Sequence, residues 1–449
     1  MYIDFPEPHS KKQSVMMDFF LTHPECRDLV VACGTKYGKT LSASAGISKA
    51  LISKPRAMWR WIAPYFSQCK IGMDYVSRQL PTTPDFKPNE STMRIPCKSL
   101  DSYIQFFHAQ NYLALEGFAT AGTVFDEAAK IRKEAYDANE TTRTRTLAKQ
   151  AYFSTPLGKN HFYDKYMEAR EEMALARRQL RVPRMMAITA RTEDNPWIPR
   201  ESIEHARRTL PERLFRQYYL AEFVDDAEVF GNYKGAFIGE RLSFDSDSCI
   251  WFDKDCDKSK VVIGADWAKT IDFTVFIAFD IETKRVVGFQ RFHKRTYIDA
   301  VRCLITFSKR FAETLIVWHD KTGVGQAIDD QMSYTGLNYK GVTFTNAWKT
   351  NSINALITSF EHKSIELPNW SMLDKELGAF EVKQNELGNM TYSAPSGQHD
   401  DIVCALILAH SALMQYADMK MEVRFLEDLK SDKGLSRLNA FEEFYTEDE

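Results

Sequence analysis

The sequence contains residue types that can bind and hydrolyse a nucleotide. The heptapeptide Gly34–Thr40, GTKYGKT, follows the apolar run 29–33. It ends in the Gly-Lys-Thr of a phosphate-binding loop, but its first glycine stands one residue later than in the usual motif. Glycines let backbone N–H groups turn toward phosphate oxygens, the lysine can reach the β- and γ-phosphates, and the threonine hydroxyl can ligate Mg²⁺. A glycine-rich turn with an exposed lysine is the alternative.

Two further pairs of polar residues favour the nucleotide interpretation. Asp126 and Glu127 directly follow the apolar run 123–125. In an ATPase the first carboxylate holds Mg²⁺, and the second orients or deprotonates the attacking water. The hydroxyl residues Ser154 and Thr155 are placed to sense the γ-phosphate and to couple its loss to bound DNA. Read singly, each pair could also be an ordinary polar turn.

Acidic residues recur at the ends of predicted elements in the second half of the chain. They are Asp266 after the run 261–265, Asp272 before the run 273–279, Asp320 after the run 315–318, and Asp400 and Asp401 before the helical run 402–409. Carboxylates gathered in this way can hold two divalent cations about 4 Å apart and cut a phosphodiester by in-line displacement. Oxygen ligands suit Mg²⁺ or Mn²⁺ rather than zinc. Asp400 or Asp401 could instead merely cap the helix, and Asp320 could begin a polar turn.

The elements that must position these residues form two α/β series. The first ends near residue 225, with helices predicted over 198–222 and a break at Leu210-Pro211; the second, of order β-β-β-α-β-α, begins near residue 260. A chain of 449 residues is too long for one ordinary core. We therefore predict domains at 1–225 and 259–420, a linker at 226–258 and an acidic tail at 421–449. A hairpin over 380–392 is predicted beside the second set of acids.

Composition excludes few functions. The chain has the apolar and charged fractions of a globular protein, and it shows neither a membrane-length apolar run nor the apolar core of a signal peptide. We therefore expect a protein that is not secreted, has no membrane contact and keeps its eight cysteines as free thiols. The net charge of −3 permits DNA binding only through local basic clusters. The arginine-rich segment 177–216 is one candidate, and a solvated helix surface is its alternative.

In their order and spacing, these segments resemble the large terminase subunit of tailed bacteriophages. That family has a compressed G-R-R-x-G-K-T loop, which Gly34–Thr40 resembles and which accounts for the displaced glycine. Its nuclease domain has G-x-D, D-x-T-G-x-G and H-D-D segments. The matching stretches here are 264–266, 320–325 and 399–401, and further similarity lies at 115–117, 155–162, 195–199 and 210–213.

The resemblance implies the fold and the site residues. The fold would be an N-terminal P-loop ATPase domain, with a helical linking subdomain near 195–225, followed by a ribonuclease-H-like nuclease domain. The implied ATP-binding residues are Gln13, Gly34, Lys36, Gly38, Lys39, Thr40 and Asp126. Gln13 would read adenine, and Lys36 stands where the family has an arginine. Asp266 would bridge two metals, Asp320 would hold one, and Asp401 or Asp400 would complete the site, with Asp272 as an accessory ligand.

The implied activity is a viral DNA-packaging motor. It would hydrolyse ATP to move double-stranded DNA into a procapsid and would cut concatemeric DNA. The expected cofactors are ATP and Mg²⁺, with Mn²⁺ possible at the nuclease site. The expected partners are DNA, the portal protein, the small terminase subunit and further copies of the chain in a ring on the portal, in the host cytoplasm; in solution a monomer is possible. The alternatives are a helicase or DNA-repair ATPase with a fused nuclease, and a non-catalytic DNA-binding scaffold.

Overall fold

The chain divides into two compact units, Met1–Asp226 and Ala227–Glu449. The structure, a computed structural model, describes residues 3, 5–22, 24–116, 119–143, 146–224, 229–243, 248–268, 273–322, 325–384, 390–395 and 398–430. In this described part, no helix combines the length and apolar character needed to cross a membrane.

The first unit is an α/β layer structure. Its helices are α1 (Lys11–Asp18), α2 (Lys39–Leu51), α3 (Phe66–Gln79), α4 (Lys133–Arg143), α5 (His161–Arg178), α6 (Arg200–Thr209) and α7 (Glu212–Tyr218). Its strands are β1 (Asp28–Cys33), β2 (Met58–Ala63), β3 (Arg94–Cys97), β4 (Ser102–His108), β5 (Gly122–Asp126), β6 (Lys149–Ser154) and β7 (Met185–Ala190). The predicted strands at 29–33, 102–107 and 123–125 and the helices around Pro211 are confirmed.

The sheet of the first unit has the order β3-β4-β2-β5-β6-β1-β7. Strands β5, β6 and β1 are parallel neighbours, with Asp126 opposite Phe153 and Ala32 opposite Ser154. Every residue of β1 and β5 is buried, as expected for strands covered on both faces. The carboxyl ends of these three strands therefore meet at one edge, which brings the phosphate-loop segment, Asp126 and Ser154 together.

The second unit is built on a mixed sheet. Its helices are α8 (Tyr297–Ser308), α9 (Gly325–Ser333), α10 (Asn346–Glu361), α11 (Ser371–Ala379) and α12 (Asp401–Lys430). Its strands are β8 (Phe237–Leu242), β9 (Cys249–Phe252), β10 (Lys260–Asp266), β11 (Thr274–Asp280), β12 (Val286–Phe292), β13 (Glu313–Asp320), β14 (Tyr339–Val342), β15 (Leu367–Trp370), β16 (Glu381–Gln384) and β17 (Met390–Ser393). The predicted strand and helix order and the hairpin are confirmed, and the hairpin's connection 385–389 lies outside the described residues.

The main sheet of the second unit has the order β14-β13-β10-β11-β12-β9. Strand β10 is parallel to β13, and β11 is antiparallel to both β10 and β12. Helix α12 packs on one face so closely that a Cβ at Gly264 would come 2.2 Å from the carbonyl oxygen of Ala405. The carboxyl ends of β10, β12 and β13 share one edge, and α12 begins beside it.

The structure differs from the prediction of a linker at 226–258 and of a tail from 421. Strand β9 joins the main sheet through β12, and β8 pairs with β15. The pairing is stabilised by Trp251, whose ring stacks on that of Phe289 with 5.5 Å between centroids. Helix α12 continues to Lys430, so its last turns occupy the start of the predicted tail, whose residues 431–449 lie outside the described part.

Candidate active sites

The phosphate-loop segment takes the backbone shape that its glycines predict. Gly38 precedes α2 with φ of 105°, a left-handed conformation that favours glycine. A Cβ there would come 3.0 Å from Nε2 of Gln13, so the predicted adenine-reading residue lies against the loop. Gln13 is buried, and its Oε1 accepts a hydrogen bond from the His9 N–H at 2.8 Å. The Lys36 side chain is exposed, and its carbonyl accepts a hydrogen bond from Asn195 Nδ2 at 2.8 Å.

The first glycine of the loop is fixed by close backbone packing. The Gly34 N–H donates to Ala190 O at 2.7 Å, and the Thr35 N–H donates to Tyr218 O at 2.6 Å. A Cβ at Gly34 would lie 2.6 Å from Thr192 Oγ1 and 2.7 Å from Tyr219 O. No side chain fits there, which gives a physical reason for glycine at position 34.

The predicted catalytic groups of the first unit meet at the edge of its sheet. Lys39 Nζ lies 2.8 Å from Glu127 Oε1, and Thr40 Oγ1 donates to Asp126 Oδ1 at 3.5 Å. Burial, and after it the charge of Glu127, raises the pKa of Asp126 to about 7. A carboxyl that is partly protonated without metal must release that proton to ligate a cation. Thr40 and Asp126 together provide the hard oxygen donors that Mg²⁺ prefers.

Glu127 is held in an uncommon backbone conformation by the turn that follows it. Its φ is 54°, in the left-handed region. Burial alone would raise its pKa, but the charges of Lys39 and Lys130 outweigh that effect and lower it. The Ala129 N–H donates to Ser154 Oγ at 3.0 Å, and Asn160 Nδ2 donates to the Ala129 carbonyl at 2.8 Å.

The predicted coupling pair is thus connected to Glu127 through the turn 128–130. Ser154 is buried and also donates to the carbonyl of Thr155 at 2.9 Å. Asn160, which caps α5, provides the second contact with that turn. Sequence reasoning gave Asn160 no role. Its position five residues after Thr155 and just before a helix is the signal that indicates an N-cap.

The predicted nuclease carboxylates gather at the edge of the second sheet. Asp266 and Asp320 end the neighbouring parallel strands β10 and β13, whose preceding residues Ala265 and His319 are paired. Burial raises the pKa of Asp266 well above its usual value. Nearby carboxylates raise it further, and these are, in order of effect, Asp401, Asp320 and Asp400. Four of the five predicted acids are therefore close enough to repel one another, and Asp272 lies outside the described residues.

Backbone N–H groups hold three of these carboxylates. Asp320 Oδ1 accepts from Thr322 at 2.7 Å, Asp401 Oδ2 accepts from Phe273 at 3.2 Å, and Asp400 Oδ2 accepts from Ala394 at 3.4 Å. The ammonium of Lys349 lies 3.7 Å from Asp400 Oδ2. Among the residues that the structure describes, no three acids, histidines or cysteines already enclose a metal position, so the carboxylates must move together to bind a cation. Their oxygen donors and mutual repulsion fit Mg²⁺ or Mn²⁺.

The two histidines beside the acids have different surroundings. His319 is buried, its Nε2 lies 3.1 Å from Asp329 Oδ1, and burial lowers its pKa. Nδ1 of His399 lies 3.5 Å from Asp401 Oδ2. His319 therefore faces Asp329, whereas His399 faces the acidic cluster.

Glu376 of α11 is the residue of this site that the sequence did not reveal. It is 8% exposed, and its Oε2 accepts from the N–H groups of Ile402 at 2.9 Å and Val403 at 3.3 Å. Burial, and after it the charge of Asp401, raises its pKa to about 8. Glu376 therefore caps the N-terminus of α12. This contact removes the need for Asp400 or Asp401 to cap that helix, and their carboxylates face Asp266 instead.

Replacing Glu376 by alanine should lower the free energy of unfolding by about 1 kcal/mol, because two N–H groups of α12 lose their acceptor. Glu376→Gln keeps an acceptor oxygen and should stay close to wild type. Urea unfolding of the metal-free protein measures both changes. Equal stability of the alanine variant and the wild type would show that the cap contributes nothing.

The arginine-rich segment 177–216 does not form a free basic surface throughout. Arg181 makes two hydrogen bonds to Glu172, at 2.6 and 3.0 Å. Arg216 Nε lies 2.7 Å from Glu222, and Arg191 lies 3.1 Å from Glu193. These pairs favour the solvated-surface interpretation for the three arginines concerned.

Fold and sites together define a protein with a P-loop ATPase fold followed by a ribonuclease-H-like nuclease fold, as predicted. The sequence is 26% identical over 410 residues to the terminase large subunit of Thermus phage G20c, with 85% of this chain and 84% of that protein covered. It is 25% identical over 409 residues to the terminase large subunit of Thermus virus P23-45, with the same coverage. The predicted resemblance to terminase large subunits is confirmed.

A solved structure is similar over nearly the whole chain. It is the large terminase of another thermophilic bacteriophage, which is 15% identical, with a TM-score of 0.54 and coverage of 91% of this chain and 100% of that chain. At this identity the similarity establishes the fold alone, and it spans both units. No protein-family profile matches the sequence.

Proposed function

We propose that this chain is a DNA-packaging motor that hydrolyses ATP to translocate double-stranded DNA into a procapsid and cuts concatemeric DNA by metal-dependent chemistry. The observation that carries the proposal is the presence, in one chain, of two separate carboxylate sites at strand ends, one beside a phosphate loop and one without it. The similarity to terminase large subunits over 85% of the chain supports the pairing of the two activities.

In the motor domain, residues 1–225 with a linking subdomain near 195–225, the chain's own groups divide the work of ATP hydrolysis. Gln13 contacts the base, and the loop N–H groups and Lys39 bind the phosphates. Thr40 and Asp126 hold Mg²⁺, which neutralises phosphate charge. Lys39, which pairs with Glu127 at 2.8 Å without nucleotide, turns to the phosphates. Glu127 is then available to orient the attacking water, and Ser154 and Thr155 transmit the change.

In the nuclease domain, which corresponds to the predicted 259–420 together with β9, Asp266, Asp320 and Asp401 or Asp400 hold the divalent cations, with Asp272 as an accessory ligand. Bound Mg²⁺ or Mn²⁺ supplies an activated water and stabilises the leaving oxygen. The carboxylates orient the cations, and the hairpin of β16 and β17 restricts access of DNA to them. The acidic tail, the portal, the small terminase subunit and a ring of chains complete the assembly in the host cytoplasm.

The purified chain should hydrolyse ATP and cut DNA. Phosphate release with ATP and Mg²⁺ measures the first activity, and nicking of supercoiled plasmid with Mg²⁺ or Mn²⁺ measures the second, with EDTA as the negative control. A chain that binds DNA but has neither activity would be the non-catalytic scaffold instead. Strand separation of a forked duplex during ATP hydrolysis would identify the helicase alternative, against which stands the nuclease fold of the second unit.

A further inference from the structure

A basic pocket lies on the second unit, apart from the acidic cluster. It is formed by β9, the end of β12, and α8, and it encloses about 840 Å³. Its charged lining residues are Lys294, Arg295, Asp299, Arg302 and Arg310, and we use "basic pocket" for the surface that they form. Phe252 and Phe307 provide an apolar floor. The pocket therefore combines four cations with one carboxylate.

The charges of the basic pocket are only weakly neutralised. The guanidinium of Arg302 lies 3.5 Å from Asp299, and these side chains are 74% and 49% exposed. An ion pair this exposed contributes little. Asp299 also accepts a hydrogen bond from Thr296 Oγ1 at 2.7 Å at the start of α8. All four basic residues are exposed, so the pocket presents a net positive charge to solvent.

Strand register shows how far the pocket lies from the acidic cluster. Asp266 of β10 is opposite Val275 of β11, and Val275 is opposite Arg291 of β12. Neighbouring strands are about 4.8 Å apart, so Arg291 lies about 10 Å from Asp266, and Lys294 follows three residues later. The pocket therefore begins about 10–20 Å from Asp266 at the same sheet edge. That distance corresponds to about 3–6 base pairs of duplex DNA.

We propose that the basic pocket binds the phosphate backbone of DNA on one side of the cut. Arginine and lysine side chains on an exposed surface contact phosphates without reading bases, and such contacts fix the register of a duplex on a protein. The pocket thereby holds the strand against the repulsion of the four carboxylates, which disfavour DNA until cations bind. This inference rests on the proposed nuclease function and adds a separate DNA-binding surface to it.

The test uses the full chain with Lys294→Asn and Arg302→Gln combined. Asparagine tolerates the left-handed φ of 56° at position 294, and Arg302 is mostly exposed, so neither change should disturb folding. Arg310 is left intact because its guanidinium packs over the Phe252 ring at 4.8 Å. The matched control is Lys258→Gln, a 76% exposed lysine just before β10 at the opposite sheet edge. Thermal unfolding of each variant verifies the fold.

Binding of a duplex oligonucleotide in EDTA is measured between 50 and 200 mM salt, which separates affinity from cleavage. Loss of two phosphate contacts should reduce the slope of log K against log salt by about 1.8, whereas the control keeps the wild-type slope. If wild type cuts DNA and the double variant keeps its slope, the pocket proposal alone is overturned. If wild type neither binds nor cuts DNA, the proposed function fails and the pocket proposal fails with it.

Discussion

Replacing Glu127 by glutamine should reduce the rate of ATP hydrolysis by about 10²–10⁴-fold, the range for loss of a positioned general base. The amide has nearly the same size as the carboxylate but cannot take a proton from water. It also removes the negative charge that Lys39 contacts at 2.8 Å and Lys130 contacts at 3.1 Å. ATP should still bind, because the loop and Lys39 remain.

Phosphate release and binding of a fluorescent ATP analogue separate turnover from affinity for Glu127→Gln. The matched control is Glu134→Gln, the same chemical change at an exposed position in the first turn of α4. Metal-dependent DNA cutting should stay near the wild-type level in both variants. Retained ATP hydrolysis would remove Glu127 from the mechanism, and equal loss of DNA cutting would show that the two sites are not independent.

Replacing Asp266 by asparagine should reduce DNA cleavage by about 10²–10³-fold, a loss typical of removing one preorganised electrostatic group. Asp266 ends the central strand β10 and feels the charges of Asp401, Asp320 and Asp400. Without its negative charge the cluster should bind Mn²⁺ more weakly, which calorimetry measures directly. ATP hydrolysis should be unchanged.

Asp266→Asn should also unfold at a temperature no lower than wild type without metal. Its carboxylate is buried among like charges, so removing that charge relieves repulsion. Asp257→Asn, an exposed carboxylate before the opposite end of β10, is the control for both measurements. Cleavage at the wild-type rate would exclude Asp266 as a metal ligand. A less stable, inactive variant would instead indicate a structural role.

The strands that carry the acids could be predicted because each is a short apolar run that ends in a carboxylate. Strand β9 could not be predicted, because Ile250 is 51% exposed and the strand is stabilised by a ring contact with Phe289, far along the chain. The same reason applies to the caps and braces of the sites. Glu376 contacts Ile402 and Val403 across 26 residues or more, and Thr192 donates to the Thr35 carbonyl across 157 residues.

The alternatives that the sequence left open for single residues were settled by neighbours. The motif His399-Asp400-Asp401 fits both a helix cap and a metal site, and the sequence offers no way to choose. In the fold, Glu376 supplies the cap, so the local pattern alone was insufficient. Long-range contacts of this kind leave no periodic signal, since they join elements whose separation in sequence is arbitrary.

The crossing of α12 over β10 has a consequence for how this chain can evolve. Where Gly264 meets Ala405 and Ala409, main chain touches main chain, with no side chain between them. The gap between Asp266 and Asp401 is therefore a dimension of the backbone, and the rest of the interior can drift in volume without retuning it. Any residue larger than glycine at this crossing acts as a wedge, and it would lever the two acids apart as one rigid step.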